Sequence, residues 1–354
     1  MFFAHPDYQE DIRRAAKLDW IDWDLLHGEN VLITGATGLI GTCLIDILME
    51  HNRTSESAPI HVYALGRSQE RLLERFSHWK ESPAFHTVVQ DIRSPLPEDL
   101  SFTYMINGAS NAHPAAYAKD PVGTILINIE GLSSLLSHAV SHHTKRVLEI
   151  TSIEVYGQNR GDVEEFTEDY CGFINCNTAR SGYPESKRVC EALCQSYRAQ
   201  YGLSVCIARP SRVYGPTMLK EDNKATAQFI HNVLRGEDIV LKSHGKQRYS
   251  YTYMLDVATA FLTILLRGED GEAYNIADKN SVVTLGGLAE SMARSNGCKV
   301  VYDIPDAAEA AGYSNLLNGV MNAEKLESLG WRPLVHMEEG ISRTIHILKG
   351  TDQS

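Results

Sequence analysis

Tyr183 and Lys187 stand at i and i+4 in Tyr183-Pro-Glu-Ser-Lys187, a spacing that sets a phenol and an ammonium side by side on a helix. An ammonium close to a phenol favours the phenolate, so a group that ordinarily titrates at about pH 10 gains the character of a base nearer neutrality. Alone, such a pair arises often by chance. Its weight comes from two other features. Ser152, inside Thr151-Ser-Ile-Glu-Val-Tyr-Gly157, offers a hydroxyl at the end of an apolar run, and a glycine turn lies near the start of the chain.

That turn is Thr34-Gly-Ala-Thr-Gly-Leu-Ile-Gly41. The β-branched apolar run 31–34 before it predicts a strand buried on both faces, and 42–50 continues at helical spacing. Strand, glycine turn and helix together predict a cradle for a dinucleotide pyrophosphate. Gly35, Gly38 and Gly41 would let the backbone approach while a helix N-terminus faces the phosphates. A glycine triplet by itself also fits an ordinary βα turn.

The elements that must position these groups alternate. Further strands are predicted over 60–65, 87–92, 104–110, 146–152 and 204–209, with helices over 69–77, 122–142 and 184–201. That alternation predicts an α/β fold, a Rossmann-like doubly wound parallel sheet with its ligand beyond the C-terminal ends of the strands. Residues 29–210 are assigned to the NAD(P)-binding domain, with returns near 245–275, and 211–354 mainly to a smaller C-terminal α/β substrate lobe. Residues 1–28 read as a helical extension (Ile12, Ala15, Ala16, Leu18, then Trp20 and Trp23), a clasp over the first strand.

With 43% hydrophobic and 22% charged residues the composition is that of a globular protein, and a net charge of −12 argues against an extended nucleic-acid surface. Seven cysteines without framework spacing predict a reducing compartment, with Cys190 and Cys194 packed in a core. No run reaches transmembrane length and the first residues lack a signal-peptide pattern, so a cytoplasmic location without membrane contact is expected. No metal site is expected. The acidic run 162–169 reads as a solvated loop face or lid, and His5, His51, His138, His142 and His143 read as surface residues, whereas His113 lies in the loop after the fourth strand.

Taken in order, these motifs resemble the extended short-chain dehydrogenase/reductases, the NAD-dependent epimerase/dehydratase family. Gly35, Thr37, Gly38, Leu39, Ile40 and Gly41 match the family's turn, and Asp91-Ile92 its adenine contact. Asn128, Val155-Tyr-Gly157, Ala208-Arg-Pro210, Val213-Tyr-Gly-Pro216, Tyr253-x2-Asp256-Val, Ala273-Tyr-Asn-Ile-Ala277 and Leu329-Gly-Trp-Arg-Pro333 also fall in the family's order. Ala109-Ser-Asn-Ala-His-Pro-Ala-Ala-Tyr117 and Arg180-Ser-Gly-Tyr-Pro-Glu-Ser-Lys-Arg188 look most like the UDP-glucuronate decarboxylase branch, and Glu154 falls where those enzymes keep a glutamate. The dehydratases' Asp-Glu pair reads Ile153-Glu154 here.

The resemblance implies Ser152, Glu154, Tyr183 and Lys187 as catalytic residues acting on the C4 hydroxyl of a nucleotide sugar. It adds Ala109, Ser110, Tyr183, Lys187 and Pro210 to the cofactor site, and Tyr117, Arg212, Arg248 and Tyr249 to the substrate site. Loss of CO2 from UDP-glucuronate leads, 4-epimerisation follows, then 4-reduction or 4,6-dehydration; a catalytically idle cofactor-binding scaffold is the reading of a different class. A homodimer through the helices at 122–142 and 184–201 is the family expectation. Where the family often has arginine, in Gln-x-Arg-x-Phe, this chain has Gln247-Arg-Tyr249, and Arg212 replaces the usual asparagine after the sixth strand. Arg212 would meet a diphosphate, or both arginines are solvated loop charges. The second strand ends in Gly66-Arg67-Ser68 rather than an acid, which leaves NAD and NADP both open: Arg67 faces a 2′-phosphate or only solvent.

Overall fold

The computed structural model describes residues 2–112, 118–304 and 317–352. The apolar runs become seven parallel strands: β1 (Asn30–Thr34), β2 (His61–Gly66), β3 (Phe85–Val89), β4 (Tyr104–Asn107), β5 (Arg146–Ile150), β6 (Val205–Pro210) and, after a break, β10 (Ala273–Ile276). They lie in the order β10-β6-β5-β4-β1-β2-β3, so direction of travel reverses between β1 and β4 and opens a crevice there. The flanking helices are α1 (Pro6–Ala15), α2 (Leu39–Thr54), α3 (Gln69–Arg75), α4 (Pro121–Ser141) and α5 (Gly182–Tyr201). Helices α4 and α5 pack along each other, joined by the Asn128 amide donating to Ser186 Oγ at 2.8 Å.

Three strands end earlier than the apolar pattern suggests. β3 closes at Val89 because Asp91 turns the chain, its Oδ1 accepting from the Arg93 backbone N–H at 3.0 Å. β4 closes at Asn107 because the N–H groups of Gly108 and Ala109 both bend onto Thr34 Oγ1 at 3.1 Å. β5 stops at Ile150, ahead of the short turn of helix at Ile153–Tyr156.

Past β6 the chain builds a second layer. β7 (Arg212–Tyr214), β9 (Arg248–Tyr253), β11 (Val282–Thr284) and β13 (Asn318–Gly319) form a small sheet, and β8 (Ile239–Leu241) pairs with β12 (Val300–Tyr302). α6 (Ala225–Arg235) and α8 (Leu285–Arg294) pack on each other there. α7 (Met254–Arg267) instead returns to the main sheet and lies against α2, followed by β10. One apolar cluster runs from Ile12 and Val31 through Leu255 to Trp331, so both layers share a core.

The N-terminal extension differs from the expected clasp over the first strand. α1 lies on α2 and α7, and contacts the C-terminal helix α9 (Met337–Asp352). Buried hydroxyls tie it down: Tyr8 donates to Asp46 Oδ2 at 2.7 Å, and Tyr253 donates to Asp11 Oδ2 at 2.8 Å. A strand already paired on both sides within a helix-covered sheet leaves no face for a clasp, so the apolar stripe of α1 is buried on helices instead.

Two histidines also differ from expectation. His51 is buried, with Nδ1 against Ala16 O at 2.9 Å and its ring stacked on Trp23, and His138 is buried against His142. Cys190 and Cys194 lie fully buried, as their helical spacing suggested. No helix among the described residues is long and apolar enough to cross a membrane.

Candidate active site

The strand ends at the crevice carry polar residues that an apolar sheet would otherwise exclude. Thr34 on β1 donates to Asn107 Oδ1 on β4 at 2.6 Å, and Asn107 Nδ2 donates to Glu149 Oε2 on β5 at 2.6 Å. Glu149 Oε1 accepts from Lys187 Nζ at 3.2 Å, and the same ammonium donates to Ile150 O at 2.6 Å. All four side chains are buried. A hydrogen-bonded chain therefore runs beneath the crevice from the glycine turn to Lys187. Burial opposes charge on Lys187, yet the carboxylate of Glu149 outweighs it and raises the ammonium's pKa above its ordinary value.

Above this floor Tyr183 opens α5, half-buried, and the Ser152 hydroxyl hydrogen-bonds its phenol. Ser152 also begins the turn at Ile153–Tyr156, accepting from the Glu154 N–H at 3.3 Å, which fixes both residues on the lip of β5. Burial holds the Tyr183 pKa above its ordinary value; Lys187 and Ser152 pull it down, and the Glu154 carboxylate pushes it up. The net direction is thus opposite to the one the Tyr/Lys spacing alone suggests, because the phenol lies in a desolvated pocket.

The glycine turn has the shape of a phosphate cradle. Gly35 takes φ +66°, and a Cβ there would lie 2.5 Å from Gly108 O; a Cβ on Gly41 would lie 2.5 Å from Gly35 O. α2 begins at Leu39 with Gly38 before it and no side chain capping its first N–H groups. Thr37, Gly38, Leu39, Ile40 and Gly41 all remain partly open to solvent. Across the crevice Ser110 Oγ is buried without a hydrogen-bond partner. A glycine cradle, an uncapped helix start and an orphaned hydroxyl fit a dinucleotide. Ala109 lines the same exit of β4. Ile92 is buried against Gly131 of α4, Asp91 is paired with Arg93, and Pro210 closes β6 beside Ile276.

A second cluster faces the chemistry from the small sheet. The guanidinium of Arg212 lies 3.8 Å over the Tyr249 ring, and its Nε is buried without a partner, as is Tyr251 Oη. Tyr249 and Tyr251 alternate on one face of β9, whereas Arg248 lies exposed on the other, so the structure brings Arg212 and Tyr249 together and leaves Arg248 apart. Glu154 acts electrostatically on Tyr183, Tyr249 and Arg212 alike, so its carboxylate lies within Coulombic reach of both clusters. Tyr117 and His113 lie outside the described residues.

Reading the sequence motif by motif passed over Glu149 and Asn107. The available signal was a polar residue at the C-terminal end of each of three apolar strands. Several recognised motifs meet one another rather than the crevice. Arg209 grips Glu191 at 2.6 and 2.9 Å and reaches Tyr156, and Tyr156 in turn reaches Asn275. Buried Asp256 accepts from the Leu334 and Val335 N–H groups at 2.7 and 3.2 Å. From the acidic run 162–169, Glu168 accepts from the Asn275 N–H and Asp162 from Tyr170. Among the described residues the one group arranged to offer three metal-ligand atoms is His5, Asp7 and His346, away from this run.

Comparison with known proteins agrees with this geometry. The model of the NAD dependent epimerase/dehydratase family matches residues 31–277. The chain is 32% identical to UDP-glucuronic acid decarboxylase 3 of Arabidopsis thaliana over 88% of its own length and 86% of that protein's. It is 29% identical to UDP-glucuronic acid decarboxylase 1 of Xenopus tropicalis over 91% and 72%. Among solved structures it resembles a UDP-glucose 4-epimerase of Thermotoga maritima with UDP-glucose (TM-score 0.77, 23% identity, 91% and 99% covered). A dTDP-glucose 4,6-dehydratase double mutant of Streptomyces venezuelae with NAD and DAU bound is similar to the same degree (TM-score 0.77, 23% identity, 91% and 98% covered). The chain belongs to the NAD dependent epimerase/dehydratase family and is an NAD(P)-dependent enzyme.

Proposed function

We propose that the protein oxidises a nucleotide sugar at C4 and acts as a UDP-glucuronate decarboxylase. The observation that carries this reading is Glu154, within Coulombic reach of both the Ser152/Tyr183/Lys187 group and Arg212 on its Tyr249 platform. Bound in the cradle, the nicotinamide supplies a hydride acceptor and donor whose positive charge also favours the phenolate. Tyr183 takes the proton from O4, with Ser152 holding the hydroxyl and the Lys187 ammonium stabilising the phenolate. A ketone at C4 makes the C6 carboxylate a β-keto acid, which loses CO2 and leaves an enolate. Glu154 then relays a proton to C5, and Tyr183 returns its proton to O4 as the ketone is reduced. Arg212 offers a half-buried guanidinium with an unused N–H for the diphosphate.

A 4-epimerase is the second reading, favoured by one observation: Tyr249 stands where the family's arginine is frequent, so the contacts that select UDP-glucuronate are altered. Incubating the protein with UDP-glucuronate and a panel of neutral UDP-, dTDP-, GDP- and CDP-sugars, followed by mass spectrometry, separates the two. A product lighter by one CO2 from UDP-glucuronate supports decarboxylation. An isomer of unchanged mass overturns it in favour of epimerisation.

A further inference from the structure

We infer that His5, Asp7 and His346 form a site for a divalent transition ion of the zinc type, which staples the N-terminal helix to the C-terminal one. One ring nitrogen from each histidine and one carboxylate oxygen of Asp7 all lie within 4.8 Å of one another. The three come from opposite ends of the chain: His5 caps α1, Asp7 stands in its first turn, and His346 lies on α9. None of them belongs to the glycine turn or to the Ser152/Tyr183/Lys187 group, so the inference does not depend on the proposed reaction.

The seam between the two helices is polar along its length. On α9, Arg343, His346 and Gly350 follow one another at three and four residues, which sets them on one face. Arg343 Nη1 donates to Glu10 Oε2 at 3.1 Å and to Asp11 Oδ1 at 3.0 Å. One turn on, His346 Nδ1 meets Asp7 Oδ2 at 2.7 Å. At the next turn a Cβ on Gly350 would lie 2.7 Å from His5 Cδ2 and 3.1 Å from its Nε2, so glycine is what lets the His5 imidazole lie against α9. The two imidazoles meet edge-on there, 4.9 Å between centroids. His5 is only weakly committed elsewhere, its Nδ1 accepting from the Asp7 N–H at a long 3.3 Å.

Two imidazoles and one carboxylate suit Zn2+ with water in its fourth position, whereas Mg2+ and Ca2+ take mostly oxygen. The ion would replace the proton that Asp7 and His346 share. Its donors would settle about 3.3 Å apart, the edge of a tetrahedron with metal–donor bonds of about 2.0 Å. The His346 side chain is 68% exposed and that of Asp7 30%, so both have room to adjust and solvent delivers the ion.

The test is calorimetric titration of the untagged, chelator-treated full chain with Zn2+, Mg2+ and Ca2+. One equivalent of Zn2+ should bind with Kd on the order of 10 µM or below, weaker than closed four-ligand sites, and Mg2+ and Ca2+ should not compete. At free Zn2+ about ten times Kd the melting temperature should rise by about 2 °C. Because the chain holds 14 histidines, two variants locate the ion. His346→Ala and His5→Asn should each weaken Zn2+ by about tenfold at least and remove the rise in Tm. Both should fold, since His346 is exposed and asparagine keeps a cap acceptor for α1. No saturable Zn2+ binding below about 100 µM, a Tm indifferent to Zn2+, or binding that either substitution leaves unchanged would overturn the inference. Equal binding of Mg2+ or Ca2+ would overturn it as well.

Discussion

Replacing Glu149 with glutamine tests whether the buried carboxylate is what keeps Lys187 charged. The substitution is nearly isosteric and leaves an oxygen for Asn107 or Lys187, but it removes the charge 3.2 Å from the ammonium. At an effective dielectric of about 20, two unit charges at that separation attract by ~5 kcal/mol, and breaking one side of a buried pair typically costs about 3–5 kcal/mol. Keeping the amine neutral instead, at pH 7 against an ordinary pKa of about 10.4, costs ~4.6 kcal/mol. The two routes are so close that Lys187 in the variant should titrate within the working pH range. The sign follows from linkage. In the parent the raised Lys187 pKa gives stability that is complete below the unfolded value and is lost only as pH rises through the folded one, well into the alkaline range. In the variant burial acts alone and depresses the folded pKa, so stability falls as pH drops through it. Thermal melts from pH 6 to 9.5 should therefore show a Tm deficit on the order of 10 °C at the acid end that narrows toward the alkaline end. The acid limb of the rate profile should move up by about a unit or more as the phenolate of Tyr183 loses its cation. Parallel melting curves with an unchanged profile would refute the role given to Glu149.

Tyr183→Phe should abolish turnover of any nucleotide sugar while dinucleotide affinity stays within about twofold, measured by calorimetry, since only the phenolic proton acceptor is removed. Arg212→Leu should raise KM about tenfold or more, as expected for a charged hydrogen bond of ~1.5–3 kcal/mol, whereas Arg248→Ala should leave KM within about twofold; equal effects would sink the contrast drawn from β9. Glu154→Gln should slow formation of the decarboxylated, reduced product by about a hundredfold, while C4 oxidation and CO2 release, followed in single turnovers, stay closer to the parent rate. Asp11, lifted by burial from 3.8 to about 6, binds its proton more tightly folded than unfolded. Stability from this group is therefore full below about pH 4 and is lost as pH rises through about 6, a swing on the order of 3 kcal/mol. The stability difference between the parent and Asp11→Asn, followed by denaturant melts, should accordingly shift against the parent between pH 4 and 7.

Local chemistry made much of this protein legible before any coordinates. The strand, glycine turn and helix at 31–50 follow from apolar periodicity and from the steric freedom of glycine, and the Tyr183/Lys187 pair from the pitch of a helix. Neither needs a distant partner. What the chain order does not contain is the balance of fields at the site. Lys187 is charged because Glu149 reaches it from a neighbouring strand, and Tyr183 titrates high because the fold desolvates it. Arg212 and Tyr249 meet because β7 pairs with β9, and the same pleat turns Arg248 outward. Asp256, Arg209 and Tyr156 lie in motifs that look functional, yet their side chains tie loops to one another. Spacing along the chain determines which groups share an element. Only the packing of elements decides which charges are desolvated together, because Coulomb interaction and burial depend on distance through space.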